Sequence, residues 1–168
     1  MKGVYVLMIA AALLGGCKRG GGGGGNYASA TETLNALVKP GANHAALTAS
    51  WRPKPEDYEA VFQGDAAKKV KDAMDPAWDG GKVVFDPKPE QTELHLVDAT
   101  AEQLAKGEGP AAACPGGWKD AAKFLKPNTK MFCFRFVKPG EKLGYSGDGL
   151  VWVNGHWAIF PKAWRALK

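Results

Sequence analysis

Residues 150–160, Leu150-Val151-Trp152-Val153-Asn154-Gly155-His156-Trp157-Ala158-Ile159-Phe160, constrain the fold more than any other stretch of this chain. Two apolar runs flank Asn-Gly, the pair that accepts positive φ at both central positions of a type I′ turn. A two-residue loop also sets the register. Trp152 then stands opposite Trp157 and Leu150 opposite Ile159 on one face, with Val151, Val153, His156 and Ala158 on the other. The carboxy-terminal part of the chain is therefore expected to be antiparallel β.

The residues before the hairpin extend that pattern. In residues 130–138, Phe132, Phe134 and Phe136 alternate with Met131, Cys133, Arg135 and Val137, the period of a strand. Lys138-Pro139-Gly140 reads as a turn, residues 141–146 as a returning strand, and Gly147-Asp148-Gly149 as a second turn. Nearer the amino terminus the period is helical. Short helices are predicted over residues 31–38, 43–50 and 55–62, the last with Pro55 at its first position. Asp65 is placed to cap the next helix, whose Ala66, Val70, Met74, Ala77 and Trp78 share one face; Pro76 puts a kink or stop near its end. Residues 82–85 and 92–97 read as short strands, the second with His95 on its more polar side. Thr100-Ala101-Glu102-Gln103 has capping-box spacing and opens a short helix to about Lys106. Residues 118–125 offer another. The order predicts one α+β domain over residues 26–168, with amino-terminal helices packed on a carboxy-terminal antiparallel meander. It resembles the cystatin-like and nuclear-transport-factor-like α+β roll, where helices lie in the hollow of a curved sheet. That resemblance implies a cone-shaped cavity, which holds small ligands in some members.

The amino terminus carries an address. Lys2 precedes an apolar run of eleven residues, 4–14. That is too short to cross a hydrocarbon core of about 30 Å as a helix and suits the h-region of a secretory signal peptide. Leu14-Gly15-Gly16-Cys17 follows. It resembles the lipobox of bacterial lipoproteins, with Gly15 where Ala or Ser is usual. The resemblance implies removal of residues 1–16 and lipidation of Cys17, hence a partner in the membrane itself. Lys18, Arg19 and six glycines, residues 20–25, then read as a tether. In Gram-negative lipoproteins an Asp after the cysteine commonly marks inner-membrane retention. Lys18 stands there instead, so the expected place is the outer membrane, facing the periplasm.

Charge is unevenly spread beyond the tether. Residues 26–118 hold 9 basic and 14 acidic groups, whereas residues 119–168 hold 10 basic and 3 acidic. A domain so balanced lacks the basic stripe of a nucleic-acid binder, and an exported protein rarely meets nucleic acid. The basic last third can face anionic lipid or cell-wall polymer. Cys114 and Cys133 are expected to form a disulfide in an oxidising compartment.

No phosphate-binding loop, dinucleotide fingerprint, zinc-protease or Cys-pair motif is present, and no cofactor or metal is expected. Gly144-Tyr145-Ser146-Gly147-Asp148 misses the hydrolase nucleophile elbow by its last residue. His95 could serve as an acid–base pair with Asp98 or Asp148 only if folding joins them. Among six tryptophans, Trp78, Trp152 and Trp157 are expected in the core. Trp51, Trp118 and Trp164, which flank loops or ends, are candidates for a binding surface, together with His156. The leading functional expectation is a lipid-anchored envelope protein whose domain binds an envelope protein or cell-wall glycan, or supports an assembly, without catalysis. The rivals are an enzyme with a roll-type pocket acting on a small molecule or glycan, and a structural spacer.

Overall fold

The computed structural model describes residues 24–168. The leader, Cys17 and most of the tether lie outside them. The fold is α+β. Helices α1 (Tyr27–Asn35), α2 (His44–Ser50), α3 (Pro55–Val61) and α4 (Asp65–Asp79) come first. Strand β1 (Glu93–Thr100) leads into α5 (Ala101–Lys106) and α6 (Gly117–Ala121), and β2 (Lys130–Val137), β3 (Gly144–Val153) and β4 (His156–Ile159) complete a four-stranded sheet. Its order is β1-β2-β3-β4, every pair antiparallel.

Local chemistry sets the helix starts. Asn26 Oδ1 accepts the Ser29 N–H at 2.8 Å, so α1 begins four residues earlier than periodicity alone suggests. Helix α4 begins at Asp65 itself, with Gly64 at the cap position and φ 49°. Thr100 and Gln103 form the expected reciprocal capping box.

Helices cover both faces of the sheet. On one face Phe132 meets Tyr27 of α1, Phe134 meets Phe85 at 5.5 Å between ring centres, and Trp157 meets Phe132 at 5.5 Å. These rings pack together on that face. On the other face Cys133 is bonded to Cys114, Asp148 holds Trp118 of α6, and His156 meets Asp57 of α3. Helix α4 forms an outer layer on α3 and on the terminal 3-10 helix, Ala163–Leu167.

Three strand expectations are corrected. Residues 82–85 are extended but join no ladder among the described residues; the Phe85 N–H instead donates to the buried Thr48 Oγ1 at 2.9 Å. Strand β1 runs three residues further than expected, to Thr100. Gly147-Asp148-Gly149 does not turn. It runs straight through β3, with a register shift opposite Phe132 and Cys133. Both glycines answer to close approach. A Cβ on Gly147 would stand 2.2 Å from the Phe134 ring, and one on Gly149, where φ is +87°, 2.2 Å from the Phe160 carbonyl oxygen. The type I′ turn is present, with φ 49° at Asn154 and 81° at Gly155.

The two positive-φ glycines of this region differ in kind. Gly155 has open space around it, so Gly155→Ala costs only the left-handed backbone, about 1–2 kcal/mol. Gly149→Ala adds a backbone collision and should cost at least ~3 kcal/mol. Urea unfolding of both variants checks the order; equal losses would contradict the bulge.

Candidate functional site

The sheet register builds one polar cleft. His95, Arg135 and Ser146 are directly opposite one another across β1, β2 and β3. Val97, Cys133 and Asp148 form the adjacent row on the same face. The segment carrying Cys114 and Pro115 closes over that second row, and the resulting cleft has a volume of about 390 Å³. The Cys114–Cys133 disulfide, spanning 19 positions, fixes its wall to the sheet. Closing a loop of that size stabilises a fold by about 3 kcal/mol in the chain-entropy account.

Each polar group in the cleft is already engaged. Arg135 Nε donates to Ser146 Oγ at 3.0 Å and its Nη1 donates to the Lys142 carbonyl at 3.0 Å. His95 Nε2 lies 2.8 Å from Glu93 Oε1, and neither Asp98 nor Asp148 is its partner. Asp148 is 3% exposed, and its Oδ1 accepts both the Trp118 Nε1–H and the Lys162 backbone N–H at 3.0 Å. Burial pushes the Asp148 carboxyl above its ordinary range, and the two N–H donors partly offset that shift. Ser146 accepts a hydrogen bond from a guanidinium, the opposite of what activates a nucleophile. The row can still present a cation and an imidazole to an anionic ligand.

The second buried carboxylate was not singled out by sequence. Asp57 is fully buried. It accepts from the Lys54 backbone N–H at 2.7 Å and from Asn154 Nδ2 at 2.7 Å, and lies 2.9 Å from His156 Nε2. Its position three residues after Lys54, just inside a helix that opens with Pro55, is the sequence signal for a carboxylate reaching back to the helix start.

The expected binding surface is largely overturned. Trp51 is buried and its ring packs on Phe85, because α2 ends against the sheet. Trp118 is fully buried, because Asp148 offers its N–H a partner inside. His156 is not an open strand residue; its ring turns inward to Asp57. Trp164 is half-buried, lies against Gly117 and carries Arg165 and Lys168 over its ring. Trp152, expected in the core, is the exposed one, at 36%; it packs edge-on against Trp157 and lies under Gly24 and Gly25.

A groove of about 550 Å³ between α3 and α4 is lined by Pro55, Tyr58, Phe62, Lys68, Lys71 and Lys126. Lys68 and Lys71 are paired with Asp72 and Asp75. Burial pushes the Tyr58 hydroxyl well above its ordinary range, and it has no hydrogen-bond partner. Among the described residues no cluster of His, Cys, Asp and Glu is arranged to hold a metal ion, and no helix is long and apolar enough to cross a membrane.

Asp148 makes a signed prediction. A carboxyl raised on folding binds protons more tightly in the folded chain, so its contribution is fullest below the unfolded value. It is lost as pH rises through the raised folded value. Asp148→Asn keeps an oxygen for Trp118 and Lys162 and removes the titration. Relative to that variant, the natural protein should lose stability as pH climbs from the ordinary aspartate value of 3.8 toward neutrality. Urea unfolding at stepped pH reads the difference; a constant difference would refute it.

The chain matches no family model, no curated protein and no solved structure.

Proposed function

We propose that this chain is a lipid-anchored cell-envelope protein whose folded domain binds or supports a partner without catalysis. In this reading residues 1–16 are removed, Cys17 carries the lipid, residues 17–25 form the tether, and the domain faces the periplasm from the outer membrane. The partner is an envelope protein or an anionic cell-wall glycan. The Cys114–Cys133 disulfide carries the reading, because such bridges persist in oxidising compartments outside the cytoplasm. It agrees with the apolar leader and with Leu14-Gly15-Gly16-Cys17.

The absence of turnover draws on the engaged state of the candidate groups. Ser146, Asp148 and His156 each hold another part of the fold, and His95 is paired with Glu93 of its own strand. The enzyme reading keeps one favourable observation, a buried carboxyl with raised proton affinity lining the same cleft as His95. Loss of an activity on His95→Ala with stability unchanged would favour it.

Two measurements test the anchor and the compartment. Cys17→Ser should move the protein from the membrane pellet to the soluble fraction and abolish acyl labelling; continued full membrane association sinks the anchor. Alkylation of denatured, unreduced protein taken directly from cells should leave Cys114 and Cys133 unlabelled. Free thiols at both positions would place the domain in a reducing compartment.

A further inference from the structure

Gly24 and Gly25 lie directly on the Trp152 indole, so closely that a Cβ on either would fall within 2.0–2.5 Å of ring atoms. A side chain at either position would have to displace the ring. From Cys17 to Gly24 there are seven peptide steps, which span at most about 25 Å even when fully extended. A folded domain of this size has a radius of gyration of about 15 Å and so a diameter near 38 Å. A lipid on Cys17 therefore cannot let the domain present its far pole to the membrane. The surface around Trp152 is thereby held within about 25 Å of the membrane.

That surface has the chemistry of an interface with lipid. Trp152 is 36% exposed and Tyr27 51% exposed, two amphipathic rings flanking the point where the chain arrives. Gly25, Lys126, Asn128, Lys130 and Trp152 line a depression of about 330 Å³ beside it. Lys126 and Lys130 are exposed, and Lys130 shares its charge with Asp98 at 3.0 Å. Lys126 and Lys130 are the basic residues that line this depression. Exposed aromatic rings beside lysines match the headgroup zone of an anionic membrane, where rings seat at the interface and ammonium groups meet phosphates.

We infer that the face formed by Trp152, Tyr27, Lys126 and Lys130 docks on phosphate-bearing lipid headgroups and fixes the orientation of the domain on the membrane. The inference rests on the anchor reading for its geometry, but the face can be tested without the lipid.

The test uses the full mature chain, Cys17 to Lys168, carrying Cys17→Ser. It is sedimented with phosphatidylcholine vesicles, with and without phosphatidylglycerol. Partitioning should require phosphatidylglycerol and fall with added salt. Lys126→Gln with Lys130→Gln should lower it about tenfold. Lys138→Gln, at the other end of β2, should leave it within about twofold. The substituted lysines are exposed, so an unchanged melting temperature certifies the fold, and Trp152→Phe gives an independent reduction. No partitioning into anionic vesicles, or equal loss on Lys138→Gln, overturns the docking face. The mass of Cys17 in protein extracted from cells separates the two readings. An unmodified Cys17 with intact, lysine-dependent partitioning removes the anchor alone, whereas an acylated Cys17 with no lipid dependence removes the face alone.

Discussion

Asp57 ties the two halves of the molecule together. It sits on the first turn of α3, fully buried, and takes hydrogen bonds from the start of its own helix and from Asn154, beside His156, in the β3–β4 hairpin. A carboxylate cannot be left there without donors. The helical half and the hairpin therefore have to meet in one relative position. Asn154 serves twice, accepting positive φ for the turn and reaching Asp57 with its amide. Asp148 repeats the device at the other end of the same sheet face, joining the bulged part of β3 to Trp118 and to Lys162. Two buried carboxylates thus locate α3, α6 and the chain's end on one side of the meander.

Local and periodic features were legible in the chain itself. The Asn154-Gly155 turn, the Phe132-Phe134-Phe136 alternation, the Thr100 capping box and the α4 stripe all depend on neighbours within a few positions. Their physical cause is therefore written in the sequence. The readings that failed depended on distant partners. Gly147 and Gly149 look like a turn until Phe134 and Phe160 are placed beside them. Trp51 and Trp118 look like surface candidates until Phe85 and Asp148 are placed. Trp152 reads as core from its alternation, yet it stays 36% exposed, packed edge-on against Trp157 and under Gly24 and Gly25. Of the candidate site, only the pairing of Cys114 with Cys133 could be anticipated. The row of His95, Arg135 and Ser146 arises from register, which spacing alone does not reveal.

The polar groups of this fold are arranged for rigidity before chemistry. The guanidinium of Arg135 is pinned at two nitrogens, and the wall above it is held by the disulfide. A cleft so fixed loses little freedom when something binds, which favours recognition. Along the chain the charge is divided too: residues 26–118 carry an acidic excess and residues 119–168 a basic one.

The sheet's margins carry a last consequence. The Tyr27 hydroxyl donates to the Leu96 carbonyl of β1, and the Trp51 carbonyl accepts the Ile159 N–H of β4, a strand only four residues long that ends before Pro161. Each outermost strand thus has part of its hydrogen-bonding rim occupied by the chain's own helical half. An edge interrupted in this way is a poor template for another chain. Many copies crowded on one surface could then stand side by side without merging their sheets.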